Sequence, residues 1–146
     1  MTLESMTGDQ RQIVAMIRDF VKREIEPVAQ ELDDTDAYPA DIMEQLKGLG
    51  LCGSVIEERY GGMGLSPATT AIIMEELAKG WMSIPIALCS HLSMTSILQL
   101  NGTEEQKQAH LPYMATGEKF GGVALTEPDC GSDLQAIRTF ADRDGD

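Results

Sequence analysis

From Thr7 onward, apolar residues recur at three- and four-residue steps: Ile13, Ile17, Phe20, Val21, Val28 and Leu32 share one face, while Arg11, Arg18, Lys22 and Glu26 fall mostly elsewhere. That spacing predicts a first amphipathic helix. Its start is marked by Thr7 followed by Gln10, a capping-box pair that satisfies the first orphan amides. Pro27 lies within the stripe, where a proline removes a helical hydrogen bond, so a kink or a shorter helix is expected. Pro39 at a first helical position opens a shorter helix carrying Ile42, Met43 and Leu46, with Gly48 as the left-handed residue just past its end. Gly61, Gly62 and Gly64 then crowd one short stretch, which calls for positive φ or a close backbone approach.

Ser66 and Pro67 read as N-cap and first position of a third helix, with Ile72, Ile73, Met74 and Leu77 apolar and Gly80 at its end. Glu75 and Glu76 are its acidic residues; adjacent helical positions face different directions, so the pair reads as a solvated helix end and not as paired carboxylates. A fourth helix runs from about Pro85 to Leu100, and Ile86, Leu88, Leu92, Met94, Ile97 and Leu98 give it so wide an apolar surface that burial on most sides is expected. Asn101-Gly102 ends it, and Thr103 with Gln106 forms a second capping box for a fifth helix that closes near Gly117. Such short links favour antiparallel neighbours. After Gly117 the period changes. Phe120, Val123 and Leu125 stand among small residues, which suits a strand, and Ala136 to Ala141 suits the start of a second. The pattern thus predicts an all-α fold class: an N-terminal helical bundle of about five helices over residues 1–118, followed at 119–146 by the first strand or strands of a truncated β domain. Because a strand pair cannot bury itself alone, 119–146 reads as a domain cut near its beginning.

Composition narrows the function classes. The chain has 146 residues, 42% of them hydrophobic, enough for one core. Lys and Arg number 11 against 24 Asp and Glu, a net charge of -13 that repels phosphate, so neither nucleic acid nor an anionic membrane is an expected partner. Cys52, Cys89 and Cys130 are far apart and odd in number, offering neither a disulfide framework nor a zinc-type pair, and a reducing cytoplasm suits them best. Met1 to Met6 carry no basic or apolar leader pattern, and no segment approaches the roughly 18 uninterrupted apolar residues of a membrane span. Triad, Walker, zincin and dinucleotide motifs are all lacking. The imidazoles, His91 and His110, read as surface or satisfied packing residues, and the nine methionines mostly as core filling.

The segment that carries chemistry is Leu125-Thr126-Glu127-Pro128-Asp129-Cys130-Gly131-Ser132-Asp133. A strand end, a proline turn and a Gly-Ser pair can present several backbone amides and two hydroxyls to a flat heteroaromatic ring or to a phosphate oxygen. By residue chemistry alone an ordinary turn is the simpler reading. With Ala124 in front, however, the string closely resembles the A-x-T-E-P-x-x-G-S-D signature of the acyl-CoA dehydrogenase family. Glu58-Arg59-Tyr60-Gly61-Gly62-Met63-Gly64, Glu75-Glu76-Leu77-Ala78 and Gly102-Thr103-Glu104-Glu105-Gln106-Lys107 resemble further family segments in the expected order, and together they cover nearly the whole chain.

The resemblance implies a helical N-terminal domain, a middle β domain and a second helical domain, with FAD between the latter two and the acyl thioester against it. It implies α,β-dehydrogenation of an acyl-CoA to a 2-enoyl-CoA, with a glutamate base in the C-terminal domain, beyond residue 146, so that no catalytic residue belongs to this chain and the piece alone is inactive. Carried over residue by residue, it implies flavin contacts by Val123, Leu125, Thr126, Gly131 and Ser132, with Val123 where many relatives have an aromatic residue. Ser132 is expected near the CoA phosphates, and the fourth helix around Cys89, His91 and Met94 along the acyl-tail pocket. Electron-transfer flavoprotein as acceptor and a homotetrameric intact enzyme are implied by the same resemblance. Acyl-CoA oxidases and flavin monooxygenases of the superfamily share this early fold, and a non-catalytic helical interaction module is a further alternative.

Overall fold

Both predicted capping boxes form. Thr7 Oγ1 accepts the Gln10 N–H at 3.3 Å while Gln10 Oε1 accepts the Thr7 N–H at 2.9 Å, and Thr103 with Gln106 repeats the arrangement at the same two distances. The computed structural model describes residues 7–145, so the reading of Met1–Met6 lies outside the described residues, as does Asp146. From the Thr7 cap, α1 (Gly8–Phe20) passes through one wide π turn (Val21–Ile25) into α2 (Glu26–Asp34) without leaving helical conformation. Where a kink or a shorter helix was expected at Pro27, a π turn lies just before the proline. The proline ring would strike the carbonyl four residues back, that of Arg23, and the wider winding takes this carbonyl out of its path.

The remaining rods are α3 (Ala40–Gly48), α4 (Pro67–Gly80), α5 (Ser83–Asn101) and α6 (Glu104–Ala115), so among the described residues five rods stand where about five helices were predicted. Pro39 is the N-cap of α3 and not its first residue, and Gly48 is still helical; the left-handed residue is Gly50, at φ 75°. The longer helix lets Leu49 pack against the main core. Gly80, at the end of α4, faces the π turn so closely that a Cβ there would lie 2.6 Å from Val21 Cγ1. In the glycine-rich turn, Gly61 and Gly64 take φ of 83° and 59°, and a Cβ on Gly62 would lie 2.1 Å from the Ile56 carbonyl oxygen. The main core joins Ile17, Phe20 and Ile25 to Leu46, Ile73, Leu77 and Leu88; a smaller cluster of Ile56, Tyr60, Leu111 and Met114 sits under α6. Among the methionines, Met43 and Met114 fill core, whereas Met16 and Met82 are exposed.

Three expectations change. First, α5 is buried on one face only: Ile84, Leu88, His91, Leu92 and Thr95 point inward, while Ile86, Ile97 and Leu100 are 63%, 44% and 82% exposed. By length and composition alone α5 could cross a membrane; here its inner face is a central rod of the core. Second, Glu76 is not a solvated residue. It is 4% exposed and accepts from Arg18 at 2.7 Å and Lys79 at 3.0 Å, because α1 crosses α4 there; Glu75 does face outward. Third, among the described residues 118–145 no strand forms. Residues 120–125 run without a ladder, residues 136–141, where the second strand was expected, follow a short 3-10 turn (Leu134–Ala136) without pairing, and the one bridge joins Glu127 to Cys130. An isolated extended segment has no partner strand to complete its ladder. The all-α class stands.

Candidate functional site

Gly117, at φ 74°, turns the chain out of α6 and back across the bundle. The segment after this turn is strand-like in one respect. The N–H groups of alternate residues, Lys119, Gly121 and Val123, donate to the helical body: Lys119 to the Tyr113 carbonyl at 3.0 Å, Gly121 to His91 Nδ1 at 3.1 Å and Val123 to Ser90 Oγ at 3.4 Å. Alternate amides thus bond as a strand's would, but their partners are helix groups.

His91 is the buried member of this set, and its tautomer is set by its neighbours. Nε2 faces two acceptors, the carbonyls of Cys52 at 3.2 Å and Met114 at 3.1 Å, so it carries the proton; Nδ1 faces the Gly121 N–H and accepts. Burial pushes the imidazole below its ordinary value and the two carbonyls only partly offset this, so the ring stays neutral. As the sequence reading has it, His91 is a satisfied packing residue.

Beyond Val123 the chain reaches the signature loop. Glu127 and Cys130 exchange backbone hydrogen bonds at 3.0 and 3.2 Å across a tight Pro128-Asp129 turn. The Glu127 carboxylate then spans the loop, accepting the Arg138 N–H at 2.9 Å, the Thr139 N–H at 2.7 Å and the Thr139 hydroxyl. These donors, the Thr139 hydroxyl first, hold the carboxyl below the usual carboxylate range. The clasp leaves Leu125, Thr126, Gly131 and Ser132 on the exposed side, with Leu125 46% exposed. Among the described residues no hydrogen bond occupies their N–H groups or the Thr126 and Ser132 hydroxyls. Val123 is half-buried on α5. The structure thus brings these five predicted residues into one segment and its loop. Ser90, His91 and Glu127, which hold that segment in place, were not singled out as a supporting set; only the buried position of His91 on its helix hinted at one.

Cys89 lies on a different flank of α5. It lines an open groove of about 810 Å³ between α4 and α5, with Val55, Leu65, Met74, Leu92 and Ser93 among its mostly apolar walls. Met94 does not share it. Met94 lines a separate hollow of about 390 Å³ with Phe120, Gly121 and Met114, and His91 points into the core. Of the three residues predicted along an acyl pocket, only Cys89 faces the groove, since residues two and five positions further along a helix turn well away from it. So α5 carries the apolar groove on one flank and anchors the exposed amide-bearing segment on another.

The model of the acyl-CoA dehydrogenase N-terminal domain matches residues 7–118. The chain belongs to the acyl-CoA dehydrogenase family. Among relatives of this family member, the short-chain-specific acyl-CoA dehydrogenase of Clostridium acetobutylicum is 36% identical over 143 residues, covering 97% of this chain and 38% of the relative. A chain solved in work on the electron transferring flavoprotein of Acidaminococcus fermentans superposes with a TM-score of 0.85 at 33% identity, over 93% of this chain and 36% of that one. An acyl-CoA dehydrogenase of Bacillus anthracis, solved in complex with FAD, gives a TM-score of 0.81 at 32% identity, over 94% of this chain and 24% of that one. The chain therefore spans little more than a third of the curated dehydrogenase's length.

Proposed function

We propose that this acyl-CoA dehydrogenase family chain is the helical N-terminal part of an FAD-dependent enzyme that dehydrogenates acyl-CoA thioesters to 2-enoyl-CoA. The observation that carries the reading is the juxtaposition on α5: an apolar groove on one flank and, anchored to the other, an exposed loop in which the Leu125, Thr126, Gly131 and Ser132 amides and the Thr126 and Ser132 hydroxyls have no partner within the described residues. The edge of a flat heteroaromatic ring needs in-plane donors and acceptors on a backbone that can approach it closely, which Leu125-Thr126 and Gly131-Ser132 offer. FAD, when bound, supplies the acceptor for the hydride that leaves the β carbon.

This chain's own part is positioning. Leu125 and Thr126 hold the pyrimidine edge, Gly131 and Ser132 bind the cofactor from across the turn with Ser132 also near the CoA phosphates, and Val123 closes the segment against α5. The groove beside Cys89 takes acyl tail along its mostly apolar walls. The base that removes the α proton is a glutamate outside residues 1–146. Electron-transfer flavoprotein as acceptor is supported by the Acidaminococcus likeness; a net charge of -13 argues against nucleic acid and anionic membrane as partners, and three free cysteines fit a reducing cytoplasm. The intact enzyme is proposed to be a homotetramer.

The test is anaerobic titration of the intact flavoprotein with acyl-CoA thioesters. Bleaching of the flavin absorbance, with electrons passing to an electron-transfer flavoprotein, is expected. Thr126→Ala and Ser132→Ala should each weaken FAD binding by about three- to tenfold, the usual worth of one hydrogen bond. No bleaching by any acyl-CoA would sink the reading, and rapid oxygen consumption with peroxide release would move it to the oxidase.

A further inference from the structure

Resting on the flavin reading of Leu125–Ser132, we propose that His91 is a positioning residue for that segment: it takes the Gly121 N–H on Nδ1 while its Nε2–H is held by the core, and so sets where Val123, Leu125 and Thr126 leave the helical body.

The ring is a fixed post. It is fully buried, and Nε2–H is shared between the carbonyls of Cys52, after α3, and Met114, in the last turn of α6. Its orientation is therefore set by two different parts of the body, and Nδ1 can point only toward Gly121. Phe120 adds a second constraint, with its ring centroid 4.4 Å from that of His91. The segment is pressed against this post, because a Cβ on Gly121 would lie 2.7 Å from both Met114 Cε and Met94 Cγ. Any larger residue at 121 would have to push these methionine side chains aside for its N–H to reach the imidazole. From Gly121 to Leu125 is four residues, at most about 14 Å of chain. An amide released at Gly121 thus leaves the 3.4 Å contact of Val123 with Ser90 as the one remaining hydrogen bond, among the described residues, from 120–126 to the helical body. His91 is buried in the core and meets the segment at the Gly121 amide, so it acts through the backbone it holds.

The two ring nitrogens allow a test with opposed variants. In His91→Asn the amide oxygen falls near the Nδ1 position and still accepts the Gly121 N–H, while the donor to the Cys52 and Met114 carbonyls is lost. His91→Gln reverses this, keeping a donor near Nε2 and losing the acceptor. Both would be made in the intact flavoprotein and checked for retained helical content by circular dichroism. Amide hydrogen exchange at Gly121 and FAD affinity would then be measured. His91→Gln should exchange Gly121 about tenfold faster or more and bind FAD about five- to tenfold more weakly, the worth of one hydrogen bond, whereas His91→Asn, which keeps the acceptor and loses the Nε2–H anchor, should change both several-fold less than His91→Gln.

A merely structural role predicts that both readouts track melting temperature irrespective of which nitrogen is mimicked, and that pattern overturns the proposal. Unchanged Gly121 exchange in His91→Gln also overturns it, whatever the flavin does. If exchange rises in His91→Gln, Thr126→Ala weakens FAD and His91→Gln does not, positioning by His91 fails while the flavin reading survives. If neither Thr126→Ala nor Ser132→Ala affects FAD, the flavin reading itself has failed and the proposal falls with it.

Discussion

The helical body and the segment after Gly117 solve the same problem, the pairing of backbone polar groups, in different ways. In the body each rod closes its own hydrogen bonds, and capping boxes at Thr7 and Thr103 meet the amides that the helices leave over. In the segment there is no ladder. Alternate amides from Lys119 to Val123 lean on Tyr113, His91 and Ser90, and one carboxylate, Glu127, gathers the amides of Arg138 and Thr139. The body is held by buried area, which is cooperative; the segment is held by a few named polar contacts at an exposed surface. A region built in the second way keeps its donors accessible, which is what a ligand-contacting loop requires, at the expense of local stability.

The contrast can be broken at four points, the largest effect first. Leu88→Ala removes a fully buried side chain from the central rod and should lower stability by about 3–4 kcal/mol in denaturant unfolding; a loss below about 1 kcal/mol would mean that α5 is not the central rod. Gly62→Ala forces a Cβ to 2.1 Å from the Ile56 carbonyl oxygen, so backbone must shift, and about 2–3 kcal/mol should be lost. A neutral result by thermal melting would show that the glycine turn yields freely.

Glu76→Gln leaves Arg18 and Lys79 without their shared carboxylate and should cost about 1–2 kcal/mol, moderated by the exposure of both cations. The Glu76 carboxyl is held below its ordinary value chiefly by the Arg18 hydrogen bond. Its contribution is therefore complete above the unfolded carboxylate value of about 4.3 and is lost as pH falls through the lower folded value. Melting temperatures of parent and variant should accordingly converge in strong acid and differ at neutral pH; a constant gap across that range would rule out the ion pair as the cause.

Glu127→Gln should have the smallest effect on global stability, with no resolvable change in melting temperature. Its effect is local: exchange of the Thr139 amide should quicken by about tenfold as the clasp opens. A melting shift as large as that of Glu76→Gln would erase the distinction between body and segment.

Most helix starts were legible because an N-cap is a local event: Thr7-Gln10, Ser66-Pro67 and Thr103-Gln106 each complete their bonds within three residues. Helix ends and burial were less so. Gly48 and Gly50 are equally good stops by chemistry, and the packing of Leu49 chose the second. The apolar circumference of α5 gave no sign of which side the other rods would cover, and Glu76 looked like Glu75 until α1 laid Arg18 across it. The strand expected from Phe120, Val123 and Leu125 does not form; alternate amides of this segment bond to helix groups instead. For the candidate site, the signature loop could be located by resemblance, but Cys89, His91 and Met94, close in sequence, proved to face a groove, the core and a separate hollow.

Short-range chemistry, legible in the sequence, determined five helical rods with most of their N-terminal boundaries, the glycine turn at 61–64, and the place of the loop that resembles the family signature. Only the tertiary structure decided which face of α5 is core, that Glu76 is buried with Arg18 and Lys79, and that the segment after Gly117 pairs with His91 and Ser90 instead of with a strand. The reason is one of range. A cap or a turn is fixed by residues three or four apart, whereas burial and the second partner of a hydrogen bond belong to residues about 20 to 60 positions away, which meet only when the rods have packed.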